Sequence, residues 1–542
     1  MQRVWIGVAL CVVLVAQVGV LDYTAAHHSD TVDESTYLAG ATRIVRFGRD
    51  RINREQPLLT KWLMAAALDR VEPAVRSGKG DSWEDSLWGH PPERMMRNLL
   101  AARRVNIALS VLTSLVLFAF LTLEFSALSG LLSAGLLACS PLFLAHSSVA
   151  TLDAGAALTT LLVVIAFWKW LERPGRVRAV GVAITLSLAM LAKSTALILP
   201  IPALAVVLWR ARKGWSWRRP IAELAVIGCL LTPLTLWASY DFQLVRVTPA
   251  ALETGLHDDL GKLVGGRRVL RAIVPESGLV VPLYDYLSGV GFQALHARGG
   301  HHSFLNGEVR HRGWPTFYLY SIAYETPLAG LALALFGGLL LIRRRLELKA
   351  YALLVLPLWW FIYFSWVTPA QGGLKYLLPA LPLWAGYLGV CLAWGWRRAK
   401  FGPPAVASTL LILALSVHRV APDYLMYFNA LAGGPERGWA HLVHGKDWGQ
   451  GQRQLGAWQA AEGIPLIWYA RYHGQPKAWG VRFRKPPCRL VSGYVAAHVI
   501  ELQRPERHVP VGCLDWLKRY EPIGQFGHSI LLWDIPKPKR IP

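Results

Sequence analysis

Long apolar runs recur along this chain from one end to the other, and that pattern leaves few folds open. Crossing a bilayer takes about 20 predominantly apolar residues in a helix. Runs near that length stand at Val4–Leu21, Val105–Leu123, Leu128–Ala145, Ala154–Leu171, Ile221–Ser239, Phe317–Ile342, Ala350–Val367, Leu374–Trp394 and Ala405–Val417. A longer stretch, Ala179–Trp209, is interrupted by Lys193, Pro200 and Pro202 and reads as two short spans with a break. Over 542 residues that are 54% hydrophobic, the expectation is a polytopic α-helical membrane protein with about eleven crossings. Val4–Leu21, with Arg3 ahead of it, is long for a signal peptide and has no clear small-x-small site after it, so it reads as a retained first span.

The basic residues set the orientation. Arg173, Arg176 and Arg178 fall in one loop and Arg210, Arg212, Lys213, Arg218 and Arg219 in the next. Arg343, Arg344, Arg345 and Lys349 follow, then Arg397, Arg398 and Lys400. These clusters share one side only if Ala179–Trp209 crosses twice, and positive loops stay in the cytoplasm. The formal charge of +23 therefore calls for no nucleic acid. The N-terminus is then cytoplasmic. The first loop (22–104), a second long loop (240–314) and the tail after Val420 lie outside. Trp168, Trp170, Trp209, Trp394 and Trp396 sit at span ends, as an aromatic belt requires. The chain divides into a membrane domain, 1–420, and an extracytoplasmic domain, 421–542.

The tail alternates strand-like pieces, Ile464–Ala470 and Ser529–Ile535, with a helix-like piece, Gln450–Glu462, which predicts a small α/β domain. Cys11, Cys139, Cys229 and Cys391 lie in apolar runs and read as core residues. Cys488 and Cys513 lie in the tail, where an oxidising compartment would allow them to pair. In the first loop, Leu58–Leu68 after Pro57 reads as an amphipathic surface helix.

Ser29-Asp30-Thr31-Val32-Asp33-Glu34-Ser35-Thr36-Tyr37 follows the first span directly. Its adjacent carboxylates can take a proton from a hydroxyl or hold a divalent cation, and equally can form a solvated acidic turn. Asp153 opens a span on the same side, as a second cavity carboxylate or as a helix N-cap. Lys193 stands at the break in the long run and Lys375 at the start of another span. Each reads as a point charge for a lipid phosphate or as a snorkelling lysine. His296, His301, His302 and His311 share the second loop with no zinc-ligand spacing. No glycine-rich loop joins a strand to a helix, so a soluble nucleotide sugar has no evident site. A lipid-borne donor fits better.

Taken together and in order, these segments resemble bacterial membrane glycosyltransferases of the protein O-mannosyltransferase superfamily (glycosyltransferase family 39), which has the GT-C fold and includes the aminoarabinose transferases. Asp33-Glu34 with Tyr37 resembles the family's first-loop acidic motif. Glu55-Gln56-Pro57-Leu58 with Lys61 resembles its Pro-Leu surface helix. His146–Ala154, Leu191-Ala192-Lys193-Ser194, Tyr324-Glu325-Thr326-Pro327-Leu328 and Gly373–Pro379 are similar to later motifs. In the tail, Tyr427–Pro435 and Asp447-Trp448-Gly449-Gln450 resemble the paired signature of one bacterial branch. Departures stand at Gln56, where the family has a basic residue, Glu325, where it has lysine, and Lys375, where it has arginine.

The resemblance implies inverting transfer from a polyprenyl-phosphate sugar, in a bacterial inner membrane. Asp33 is the expected base, Glu34 its support, and Asp153 the other acidic member. Lys193, Lys375 and Lys61 are expected at the donor phosphate. A divalent ion, Mg²⁺ or Mn²⁺, is the one cofactor admitted, held by Asp33 and Glu34. Lipid A, an envelope polysaccharide, another lipid and protein hydroxyls all stay open as acceptor. Two other classes stay open as well. A transporter or flippase would show an inverted repeat with matching broken helices, and only one broken stretch is found. A non-catalytic envelope scaffold would keep the fold without turnover.

Overall fold

The computed structural model describes residues 2–537 except 51, 73–90, 254–266, 301, 399, 401, 444 and 504–508. His301 of the histidine loop lies outside the described residues.

Among the described residues, seven helices are long and apolar enough to cross a membrane, and two bent pairs bring the number to nine. The eleven crossings expected above are thus not all of spanning length. Helices Arg176–Ala192 and Gly402–His418 have 17 residues each. At 1.5 Å per residue that is about 25 Å, short of the roughly 30 Å hydrocarbon core. The bends follow proline. Ala127–Ala138 turns by 66° into Pro141–Ser147, and Phe317–Glu325 by 119° into Leu328–Ile342, after Pro327. The long interrupted run breaks at Lys193, whose extended backbone (φ −157, ψ 135) ends one helix before the 3-10 turn Ser194–Ile198. Val8, Val12 and Val15 of the first helix face outward, as lipid-facing residues should.

The described part of the first long loop is largely helical. Val32–Phe47 begins at Thr31, with a capping box closed by Glu34. Helix Leu59–Val71 follows, and Pro92–Glu124, at 33 residues, is too long to lie wholly within a bilayer. The expected surface helix does not rest on lipid alone. Its Met64, Ala65 and Leu68 pack with Leu38, Ala41, Met95 and Leu99. The second loop contributes helix Tyr284–Gly299, an antiparallel pair of distant strands (Leu244–Val247 with Leu279–Pro282) and a short hairpin (Ser303–Leu305 with Glu308–Arg310).

The tail carries the expected α/β domain. Its five strands run in the order Phe483–Arg484, Ile467–Ala470, Gly493–His498, Ile530–Ile535, Gly524–Phe526. The first three are parallel and the last two are joined antiparallel. Helix Gln452–Ala461 covers one face, and Cys488 and Cys513 are bonded. The tail packs directly on the first outer loop. Ser29 N donates to Gln450 O at 3.2 Å and Val32 N to Trp448 O at 3.0 Å. It also meets the second loop, where Asn306 N donates to His441 O at 2.9 Å. The two outer loops and the tail therefore form one body at one end of the helices.

Candidate active site

That body and the helix ends beneath it enclose a cavity of about 770 Å³. Asp33, Asp153, Lys193 and Lys375 all line it. Each comes from a place where the chain changes direction. Asp33 sits in the first turn of Val32–Phe47, Asp153 opens helix Asp153–Glu172, and Lys193 stands at the break. Lys375 lies in the 3-10 turn Leu374–Ala380, after Gly373 at φ +85. That conformation suits glycine and turns the chain into the helix.

The four charges form two ion pairs. Lys193 Nζ donates to Asp153 Oδ1 at 2.5 Å. Lys375 Nζ donates to Asp33 Oδ2 at 3.2 Å. Tyr376 lies between the cations, its ring centre 5.7 Å from Lys193 Nζ and 6.0 Å from Lys375 Nζ. The second oxygen of Asp153 accepts from Thr151 Oγ1 at 3.2 Å and has His146 Nδ1 3.8 Å away. The stretch His146–Asp153 thus builds the surroundings of one carboxylate. Of the two acids, Asp33 is the more open: its side chain is 34% exposed, against 5% for Asp153.

Two expected site residues point elsewhere. Glu34 is fully buried beside Arg103. Its Oε1 accepts from Arg103 Nε at 2.8 Å and Ala150 N at 2.6 Å, and its Oε2 from Arg103 Nη2 at 2.7 Å and Thr31 N at 2.8 Å. Neighbouring positions at the start of a helix point about 100° apart, so one acid faces the cavity and the other the interior. Burial pushes the Glu34 carboxyl up, but the Arg103 charge and these donors hold it below the ordinary 4.5. Lys61 is likewise fully buried. It donates to Asp50 Oδ2 at 2.5 Å, Asn53 O at 2.8 Å and Gln56 O at 2.7 Å, closing the turn after Val32–Phe47. Gly40 lets Asp50 approach: a Cβ there would lie 2.6 Å from Asp50 Oδ2.

The donor set for a cation is therefore not assembled. With Glu34 committed to Arg103, the acidic pair does not present two carboxylates to one ion. Among the described residues no group of three or more His, Cys, Asp or Glu is placed to hold a metal.

Sequence reasoning missed several groups. Arg103 had a signal, since an arginine at the edge of a long apolar run is costly and calls for a partner. Asp447 and Trp448 also line the cavity, and His296 and His302 line it from the second loop. Glu325 forms a buried ion pair with Lys446 of the tail. Asp30, also buried, accepts from Trp479 Nε1 at 2.6 Å. Burial pushes its carboxyl up to about 7.

Residues 95–237 match the family model described as dolichyl-phosphate-mannose-protein mannosyltransferase. No curated protein sequence matches the chain. Among solved structures the chain is similar to ArnT from Cupriavidus metallidurans bound to undecaprenyl phosphate, at 12% identity and a TM-score of 0.50, over 98% of both chains. It is also similar, at 13% identity and a TM-score of 0.49, to the archaeal oligosaccharyltransferase AglB from Archaeoglobus fulgidus in complex with an inhibitory peptide and a dolichol-phosphate. That match covers 100% of this chain and 75% of the other. The chain is a polytopic α-helical membrane protein with the GT-C type of fold seen in ArnT, and its residues 95–237 are similar to the dolichyl-phosphate-mannose-protein mannosyltransferase family model.

Proposed function

We propose that this protein transfers a sugar from a polyprenyl-phosphate donor to a hydroxyl acceptor at the outer face of a bacterial inner membrane. The observation that carries this reading is the meeting of Asp33, Asp153, Lys193 and Lys375 in one cavity, although the sequence scatters them over some 340 residues. Buried charge at membrane depth is costly and persists where a substrate uses it. The match of residues 95–237 to a lipid-linked mannosyltransferase family and the undecaprenyl phosphate held by the similar ArnT point to the same donor class. The disulfide supports placing the tail in an oxidising compartment.

In this mechanism Asp33 is the base. It takes the acceptor proton while the hydroxyl oxygen bonds to the anomeric carbon and the bond from that carbon to the phosphate oxygen breaks. The sugar is inverted and the lipid phosphate leaves with the electron pair. Charge builds on that phosphate, and Lys375 and Lys193 stand where they can meet it. Lys375 has a double task, since it pairs with Asp33 before the donor arrives. A phosphate that draws Lys375 away leaves the Asp33 carboxylate free to accept a proton. Asp153 neutralises Lys193 and fixes its position. Glu34 acts through the loop it anchors, and no step is routed through a metal.

The test uses the purified protein in lipid with a panel of labelled polyprenyl-phosphate sugars and envelope extract as acceptor. Wild type should consume at least one donor, and Asp33→Asn should be slower by about 10²–10⁴-fold. Equal consumption by both would remove Asp33 as the base. No turnover by wild type across the panel would favour a scaffold.

A further inference from the structure

The tail loop from Gly445 to Gln450 enters the cavity wall without supplying a group that the transfer step uses. Gly445 has φ +79, and a Cβ there would lie 2.7 Å from the Gly372 carbonyl oxygen. The loop thus passes hard against the Gly372-Gly373 turn that leads into Lys375. Trp448 follows, and it meets Lys375 with its ring and the residue before Asp33 with its backbone. Its ring centre is 4.1 Å from Lys375 Nζ, nearer than that of Tyr376. Its carbonyl accepts from Val32 N, the residue before Asp33, at 3.0 Å. His146 backs the indole edge-on at 5.3 Å.

The loop is pinned from the tail side. Asp447 accepts from Ile500 N at 3.3 Å and Gly449 N at 3.3 Å, and His498 Nδ1 lies 2.8 and 3.0 Å from its two oxygens. Tyr469 Oη lies 2.6 Å from His498 Nε2. The carboxylate can only accept, so the imidazole donates to it from Nδ1, and Nε2 shares a hydrogen bond with the tyrosine hydroxyl. Asp447, His498 and Tyr469 are all buried, and the chain of bonds braces the loop that carries the indole.

We infer that Trp448 is a positioning residue of this site, whose indole face holds the Lys375 ammonium against Asp33. The physical need is plain. A lysine has a flexible four-carbon stem, and among the described residues Lys375 pairs with one carboxylate, at 3.2 Å, beside open cavity. An aromatic face attracts the cation without competing with the phosphate for a proton or adding negative charge. The link to donor binding rests on the transferase reading; the link from Trp448 to Lys375 does not.

The test therefore measures the lysine first. Full-length protein in lipid is pulsed with acetic anhydride, and acetylation of Lys375 is read by peptide mass spectrometry against exposed Lys518. Trp448→Leu keeps apolar bulk but has no π face, and Trp448→Phe keeps a smaller one. Lys375 should be acetylated about three- to tenfold faster in Trp448→Leu, with Lys518 unchanged and Phe restoring most of the protection. Undecaprenyl phosphate should bind about tenfold more weakly to Trp448→Leu, and the same change in a Lys375→Gln background should add little. Unchanged Lys375 labelling in folded Trp448→Leu overturns the inference. So does an equal loss of binding in the Lys375→Gln background. Failure of wild type to bind undecaprenyl phosphate would count against the transferase reading, while the labelling still decides the role of Trp448.

Discussion

Replacing Glu34 by glutamine separates the two neighbouring acids. Glu34 and Arg103 are both fully buried, and each Glu34 oxygen accepts two donors. Glutamine keeps the volume but turns one oxygen into an NH2 group. Whichever way the amide is placed, that group faces two donors, so two of the four hydrogen bonds are lost. Arg103 also keeps its charge with no counter-ion. Removing one partner of such a pair costs about 3–5 kcal/mol. At about 1 °C per kcal/mol for a chain of this size, the apparent melting temperature should fall by about 3–5 °C, read by tryptophan fluorescence in detergent. The pH dependence has a defined sign. The folded pKa lies below 4.5, so the stabilisation is complete above that value and disappears as pH falls through the lowered one. Asp33→Asn, whose partner Lys375 is near open cavity, should melt within about 2 °C of wild type and lose turnover. The opposite pattern would refute the reasoning. If Glu34→Gln melts like wild type yet cannot transfer sugar, Glu34 rather than Asp33 meets the substrate.

Lys61→Met should also destabilise by about 3–5 kcal/mol, because it strands the buried Asp50 carboxylate. The folded fraction should bind undecaprenyl phosphate as wild type does, and selective loss of binding would place Lys61 at the donor after all. Asp30 carries the reverse pH sign to Glu34. Its folded pKa of about 7 exceeds the ordinary 3.8, so the folded state holds its proton longer and stability falls as pH rises between those values. Asp30→Asn should flatten that slope and melt higher than wild type at pH 8, and an unchanged slope would contradict the burial argument. Serine at Cys488 and Cys513, which close a 25-residue separation, should cost the tail about 3 kcal/mol, measured as faster proteolysis of the tail in non-reducing buffer.

The apolar runs made the membrane architecture legible, because spanning length is set by the bilayer and not by tertiary detail. Composition did not reveal that two of the expected crossings are 17-residue helices and that two others bend at proline. Asp33, Asp153, Lys193 and Lys375 stood out as charges at span ends. Their pairing did not, because it depends on helix order in three dimensions. Glu34 and Lys61 carried the same chemical signal as their neighbours and were expected in the cavity. Only the direction of a side chain on its helix tells a buried anchor from an exposed base, and a short loop helix gives weak periodicity from which to read it. Trp448 lay in a quoted signature, but its partner Lys375 is 73 residues earlier and on another element. Nothing local marked the indole as a seat for that ammonium.

The bonds between residues 29–32 and 448–452 have a consequence for biosynthesis. Ser29 Oγ donates to Gly449 O across a separation of 420 residues. During synthesis the first long loop must therefore wait for some 420 further residues before its wall of the cavity is complete. Every helix in between can insert while the pocket is still open along one flank. Chains that end prematurely before Gly445 should thus accumulate as inserted but incompetent protein.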